Sequence, residues 1–133
     1  MCGILGFLDN KPLDQQVFSK MLNALNHRGP DDSGIWKDES NGFFIGHNRL
    51  SIQDLSPKGH QPMISDSSKY VISFNGEIYN HLSLRKEINL ISNVKWRGNS
   101  DTETILKTVE TYGINIAINK LKGMFAFSIY DTF

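Results

Sequence analysis
The sequence predicts an α+β fold with a layered core. Three observations carry that expectation. Short apolar segments with strand character stand near both ends of the chain, at residues 2–8 and 123–130. Between them, apolar residues recur at helical spacing in several segments. No repeat, low-complexity tract or linker divides the 133 residues, which is enough chain for one domain to bury a core. Strands and helices that must each cover an apolar face stack into layers.

The elements follow in order. Residues 2–8 read as a short apolar strand in which Gly3 and Gly6 admit close backbone neighbours. Asp9-Asn10-Lys11-Pro12 reads as a turn. Val17, Met21, Leu22 and Leu25 recur at helical spacing, predicting an amphipathic helix over 13–26. Residues 28–34 break it and form a polar loop. Residues 34–37 and 42–47 predict a hairpin around Glu39-Ser40-Asn41. A second irregular region begins at 49–52 and ends in Pro57-Lys58-Gly59-His60-Gln61-Pro62. Residues 70–74 predict a strand that runs into Asn75-Gly76. Leu82, Leu84 and Ile88 predict a helix over 79–90, and 94–97 has the composition of a short strand. Ser100-Asp101-Thr102-Glu103 is a capping box for a helix over 101–112, which Gly113 ends as a left-handed cap. A shorter helix over 114–121 precedes the last strand. That strand has apolar residues on both faces, which predicts a place inside a sheet covered on both sides. Asp131-Thr132 opens a turn, and a central strand without its partner would leave an unpaired edge. The chain is therefore expected to be a piece of a longer one.

Composition narrows the function classes. Lysine plus arginine total 14 and aspartate plus glutamate total 14. That balance points neither to nucleic acid nor to an anionic membrane as partner. A single cysteine forms no internal disulfide, which suits a reducing compartment. No apolar run has the length of a membrane span, and the start lacks the basic n-region of a signal peptide. The expected location is the cytoplasm.

The one cysteine is Cys2, directly after the initiator methionine. Removal of Met1 ahead of a small side chain would leave Cys2 with a thiol and a free α-amine on one Cα. An α-amine with an ordinary pKa of ~7.7–8 can take a thiol proton at neutral pH. The competing reading is a small buried hydrophobe, the commoner fate of a lone cysteine. Asn75-Gly76 places a carboxamide beside a backbone N–H and could bind a developing oxyanion; it is also the commonest short hairpin turn. Arg49 after an apolar strand could clamp a carboxylate or stand solvated at the surface. Asp101 at a helix start is favoured by the helix dipole alone and could equally hold an ammonium. His27, His47, His60 and His81 have no metal-ligand spacing. Ser33 and Ser51 lack the context of a nucleophile elbow. No glycine-rich phosphate loop occurs.

Five motifs in order carry a resemblance. Met1-Cys2-Gly3-Ile4, Asn26-His27-Arg28-Gly29-Pro30-Asp31-Asp32-Ser33-Gly34, His47-Asn48-Arg49-Leu50-Ser51-Ile52, Asn75-Gly76-Glu77-Ile78-Tyr79-Asn80 and Ser100-Asp101-Thr102-Glu103 together resemble class II glutamine amidotransferases. These are N-terminal-nucleophile hydrolases. The chain is most similar to the glutaminase domain of bacterial-type glutamine-hydrolysing asparagine synthetases, and the likeness runs through Gly123-Met124-Phe125-Ala126-Phe127.

The resemblance implies a four-layer αββα sandwich, here incomplete at its C-terminus, with 1–133 as the N-terminal part of a glutaminase domain. It implies Cys2 as nucleophile and base, and Asn75 with the Gly76 N–H as oxyanion donors. Arg49 would take the glutamine α-carboxylate, Glu77 and Asp101 its α-ammonium, and Leu50, Ser51, Ile52 and Gln53 would line the pocket. No metal and no cofactor is expected for glutamine hydrolysis. ATP and magnesium are implied only for a synthetase domain, absent from this sequence and needed covalently or as a partner to make asparagine from aspartate. A homodimer, a different acceptor for the ammonia, and a non-catalytic glutamine-binding or interaction module stay open.

Overall fold
The computed structural model describes residues 1–11 and 13–133. They form strands β1 (Gly3–Leu8), β2 (Asp32–Asp38), β3 (Phe43–Arg49), β4 (Met63–Ile64), β5 (Tyr70–Ile78) and β6 (Gly123–Asp131). The helices are α1 (Gln15–Asn23), α2 (His81–Ile91), α3 (Asp101–Tyr112) and α4 (Ile114–Lys120). One antiparallel sheet has the order β1-β3-β2 and the other β4-β5-β6. α1 lies on the first sheet and α3 on the second, with α2 and α4 beside α3, and the sheets face each other through β3 and β5. This is the expected αββα stack. No helix among the described residues is long and apolar enough to cross a membrane. Pro12, the end of the predicted turn at 9–12, lies outside the described residues.

The period-two alternation of β3 builds two layers at once. Phe44, Gly46 and Asn48 face α1. The Phe18 and Phe44 ring centres are 5.3 Å apart, and Asn48 Nδ2 donates to the Leu22 carbonyl at 2.7 Å. A Cβ on Gly46 would lie 3.0 Å from both the Phe18 and Leu22 side chains, so glycine lets the helix sit down on the sheet. The opposite face carries Ile45, His47 and Arg49 toward the second sheet. There His47 Nε2 donates to the Phe74 carbonyl at 3.0 Å. On β5, Ile72, Phe74 and Ile78 join Leu84, Ile105, Leu106 and Val109 in the core beneath the helices.

Several expectations are corrected. α1 is shorter than 13–26, running from its Asp14 cap to Asn23. It buries Phe18 and Leu22, while Val17 and Met21 are exposed. Spacing allowed either face, and Phe44 and Gly46 select the one that fits. Burying each such side chain contributes roughly 1.5–3 kcal/mol. β2 begins at Asp32, so the polar loop is shorter than 28–34. The predicted hairpin forms, with Asp38 Oδ1 accepting the Ser40 and Asn41 N–H groups across its turn. Residues 94–97 form no strand; Trp96 instead covers the Arg85 guanidinium at 4.2 Å. α2 starts at His81 rather than 79, and Leu82 faces solvent.

The α3 start forms half of its capping box. Ser100 Oγ accepts the Thr102 N–H, but Glu103 turns to the Arg97 and Gly98 N–H groups at 2.7 and 3.0 Å. Gly113 has φ 78° with ψ 158°, an extended positive-φ residue between two helices rather than a left-handed cap. β6 is an edge strand covered on both faces only toward its C-terminal end. It pairs only with β5 among the described residues, and Met124 is exposed. Phe125, Phe127 and Ile129 pack toward the helices. The other face is held where Tyr130 stacks on Phe43 at 4.3 Å and donates to Asp38 Oδ2 at 2.8 Å.

Candidate active site
The Asn75-Gly76 pair is not a turn. β5 continues through it to Ile78, with Asn75 opposite Ala126 and Gly76 opposite Phe125. Gly76 has φ 148°, and a Cβ there would lie 2.3 Å from the Met124 carbonyl oxygen. Only glycine fits both demands. In an antiparallel strand successive N–H groups point to alternate edges. The Phe74 N–H donates to Gln61 Oε1 at 2.7 Å, and the Ile78 N–H to Asp101 Oδ2 at 2.9 Å. The Gly76 N–H lies between them on that same edge, away from β6. The strand thus presents a donor beside the Asn75 carboxamide, which is what oxyanion binding needs, without a hairpin.

Cys2 stands just before β1 and opposite the loop that leaves β3. Its Sγ is 3.4 Å from the Leu50 nitrogen and 3.8 Å from the Leu50 carbonyl oxygen. Arg28 Nε donates to the Cys2 carbonyl at 3.0 Å. Arg28, at the start of the 28–34 segment, therefore anchors the backbone of Cys2.

Arg49 is no solvated surface residue; it is 7% exposed. Nη1 donates to the Ser56 carbonyl at 3.0 Å and Nη2 to the Asp54 carbonyl. Two of five guanidinium donors are thereby used, and the others have no partner among the described residues. Asp101 is equally buried, and burial raises its carboxyl above the ordinary carboxylate value against the pull of the Ile78 N–H. It joins the α3 start to the end of β5, more than a helix-dipole acid would do.

One open cleft of about 230 Å³ brings these groups together. Its wall includes Cys2, Arg49, Leu50, Ile52, Gln53, Asn75, Gly76, Glu77 and Asp101. That volume is below the range of drug-sized sites and suits one amino acid. Ser51 is not on the wall, because its N–H turns to Asp31 Oδ2 at 2.8 Å. The sequence reading missed Asp54, Gln61 and Thr102, which also line the cleft. Gln61 reaches Thr102 Oγ1 at 3.3 Å while holding the Phe74 N–H, so it stitches β5 to α3. No residue-type signal marks it, since its partners lie 13 and 41 residues away.

Known proteins bear on this arrangement. The family model of the glutamine amidotransferase domain matches residues 1–133. Asparagine synthetase [glutamine-hydrolyzing] 1 of Bacillus subtilis is 42% identical over 136 residues, spanning 98% of this chain and 21% of that protein. Asparagine synthetase B [glutamine-hydrolyzing] of Escherichia coli is 38% identical over 135 residues, spanning 99% of this chain and 23% of that protein. The chain thus spans about a quarter or less of these relatives. Among solved structures, glutamine phosphoribosylpyrophosphate amidotransferase of B. subtilis superposes with a TM-score of 0.72 at 21% identity. That match covers 98% of this chain and 34% of the other, and it shows the shared fold. By the family match over its whole length, this chain belongs to the glutamine amidotransferase domain family.

Proposed function
We propose that this chain hydrolyses glutamine to glutamate and ammonia through Cys2. The observation that supports it most is the convergence, on one amino-acid-sized cleft, of a thiol, a buried arginine, an amide–N–H pair and carboxylates. These come from four separate stretches of sequence.

Removal of Met1 frees the Cys2 α-amine. The amine takes the thiol proton, and Sγ attacks the carbon of the glutamine side-chain amide. The oxygen becomes an oxyanion held by the Asn75 carboxamide and the Gly76 N–H; losing one such donor typically costs ~2.7–4 kcal/mol of barrier. The tetrahedral adduct collapses, the C–N bond breaks, and the protonated amine returns its proton to the leaving ammonia. Water, deprotonated by the same amine, then attacks the thioester and releases glutamate. Arg49 takes the α-carboxylate, and Glu77 and Asp101 take the α-ammonium. These contacts bind glutamine by its two charged ends on the wall that also carries Cys2.

The named relatives are asparagine synthetases, so the ammonia is assigned to asparagine formation from aspartate and ATP by a synthetase domain, covalent or in trans. ATP and magnesium belong to that step, and no residue here is assigned to them. The site is read as cytoplasmic.

The test is intact mass of the purified chain, with and without an electrophilic diazoketone analogue of glutamine, alongside glutamate release. Loss of Met1, one adduct on Cys2 and turnover abolished by Cys2→Ala are expected. Turnover that survives Cys2→Ala would refute the mechanism. A free Cys2 that takes no adduct would favour a non-catalytic module.

A further inference from the structure
Asp54 has no part in the chemistry above, yet it is 9% exposed and its oxygens serve both ends of the cleft. The main-chain carbonyl accepts from Arg49 Nη2. Oδ1 accepts the Ser56 N–H at 2.9 Å and the Ser56 hydroxyl at 2.6 Å, which fixes the turn whose Ser56 carbonyl also receives Arg49. Oδ2 accepts the Asn99 N–H at 2.9 Å, two residues before Asp101. The Ser56 hydroxyl, followed by the Asn99 N–H, holds the Asp54 carboxyl below its ordinary value, so it stays an acceptor across the neutral range.

The segment it grips is itself rigid. Arg85 donates to the Gly98 and Ser100 carbonyls, each at 2.8 Å. Glu103 receives the Arg97 and Gly98 N–H groups from the other side. Segment 97–100 therefore moves with α3 and carries Asp101. A Cβ on Gly98 would lie 2.6 Å from Asp54 Oδ2, so glycine lets the two segments close on each other. A carboxylate accepting backbone N–H groups makes charge-assisted bonds that are short and specific in geometry.

We propose that Asp54 is a positioning residue that sets the distance between Arg49 and Asp101. It thereby selects ligands that carry a carboxylate and an ammonium on one carbon. The inference rests on the glutamine-binding roles proposed for Arg49 and Asp101. Both roles are in binding, so loosening the tie weakens binding of the charged ends and leaves the chemistry at sulfur intact. The expected signature is a raised KM with kcat retained.

The experiment compares the full chain with Asp54→Asn and Gly98→Ala. The Asp54→Asn amide keeps one acceptor oxygen and turns its NH2 either on the Asn99 N–H or on the Ser56 N–H and hydroxyl, the three donors that Asp54 now satisfies; the Gly98→Ala methyl pushes the Asp54–Asn99 contact apart. In each variant the KM for glutamine rises about tenfold and kcat stays within about twofold, the order expected for one charge-assisted hydrogen bond. Labelling of Cys2 by the diazoketone analogue, which needs both charged ends, slows about tenfold below saturation. Alkylation by iodoacetamide, which needs neither, keeps its rate. If Asp54→Asn fails to fold, Gly98→Ala carries the test. An active parent whose folded variant keeps its KM overturns the positioning role alone, as does iodoacetamide alkylation slowed as much as analogue labelling. A processed parent that neither turns over glutamine nor takes the analogue overturns the glutamine reading, and this inference with it.

Discussion

His47 makes acid sensitivity a direct readout of how the two sheets meet. It is fully buried on β3, its Nε2–H sits on the Phe74 carbonyl at 3.0 Å, and its Nδ1 has no partner among the described residues. Burial, with the nearby Arg49 cation adding to it, pushes the imidazole down from 6.5 to about 4. Above pH 6.5 the ring is neutral in folded and unfolded chains alike, so it contributes no pH dependence. Below 6.5 the unfolded chain binds a proton that the folded chain refuses until about pH 4. Stability therefore falls as pH drops through that window, by about 1.4 kcal/mol per pH unit and about 3 kcal/mol in all. His47→Gln keeps an amide donor for the Phe74 carbonyl and removes the titration. Urea unfolding at half-unit steps from pH 7.5 to 4, fitted for both proteins, isolates the effect from other titrating groups by subtraction. The two curves should converge near pH 4–5 from a wild-type advantage at neutral pH, or cross if glutamine packs well. Parallel curves between pH 6.5 and 4 would refute a neutral buried imidazole as the tie between the sheets.

Three further outcomes follow from the site. Asp101→Asn keeps an acceptor for the Ile78 N–H but loses the charge, so the glutamine KM rises about ten- to hundredfold. Because burial raises the Asp101 carboxyl, the parent KM also climbs as pH falls, beginning above the ordinary carboxylate range, and steady-state kinetics against pH should lose that rise in the variant. Gly76→Ala meets the Met124 carbonyl and forces a positive φ on a side chain; a stability loss of about 1–3 kcal/mol from backbone strain and a large drop in kcat are expected by thermal unfolding and glutaminase assay. Ser100→Ala removes the acceptor for the Thr102 N–H, costing about 1 kcal/mol, readable as a lower Tm with Cys2 alkylation by iodoacetamide unchanged.

The sequence alone determined the kinds of groups in the cleft and the rough placement of most elements. Cys2 after Met1, Asn75 beside Gly76, and Asp101 behind Ser100 are adjacencies, and their chemistry or capping is local. The α3 boundaries were legible for the same reason, because a cap and a terminating glycine act within one turn. Only the tertiary structure decided which side of α1 is buried, since Val17 and Met21 have the same spacing as Phe18 and Leu22, and Gly46 across the sheet makes the choice. Pairing with β6 overrode the local turn preference of Asn75-Gly76 and turned the pair into a strand edge with its N–H facing the cleft. Glu103 accepts the Arg97 and Gly98 N–H groups of the preceding segment instead of reaching back to Ser100. Asp54, Gln61 and Arg28 gain their roles from partners 45, 41 and 26 residues away. Such contacts form only when the layers close, so residue type and spacing carry no trace of them.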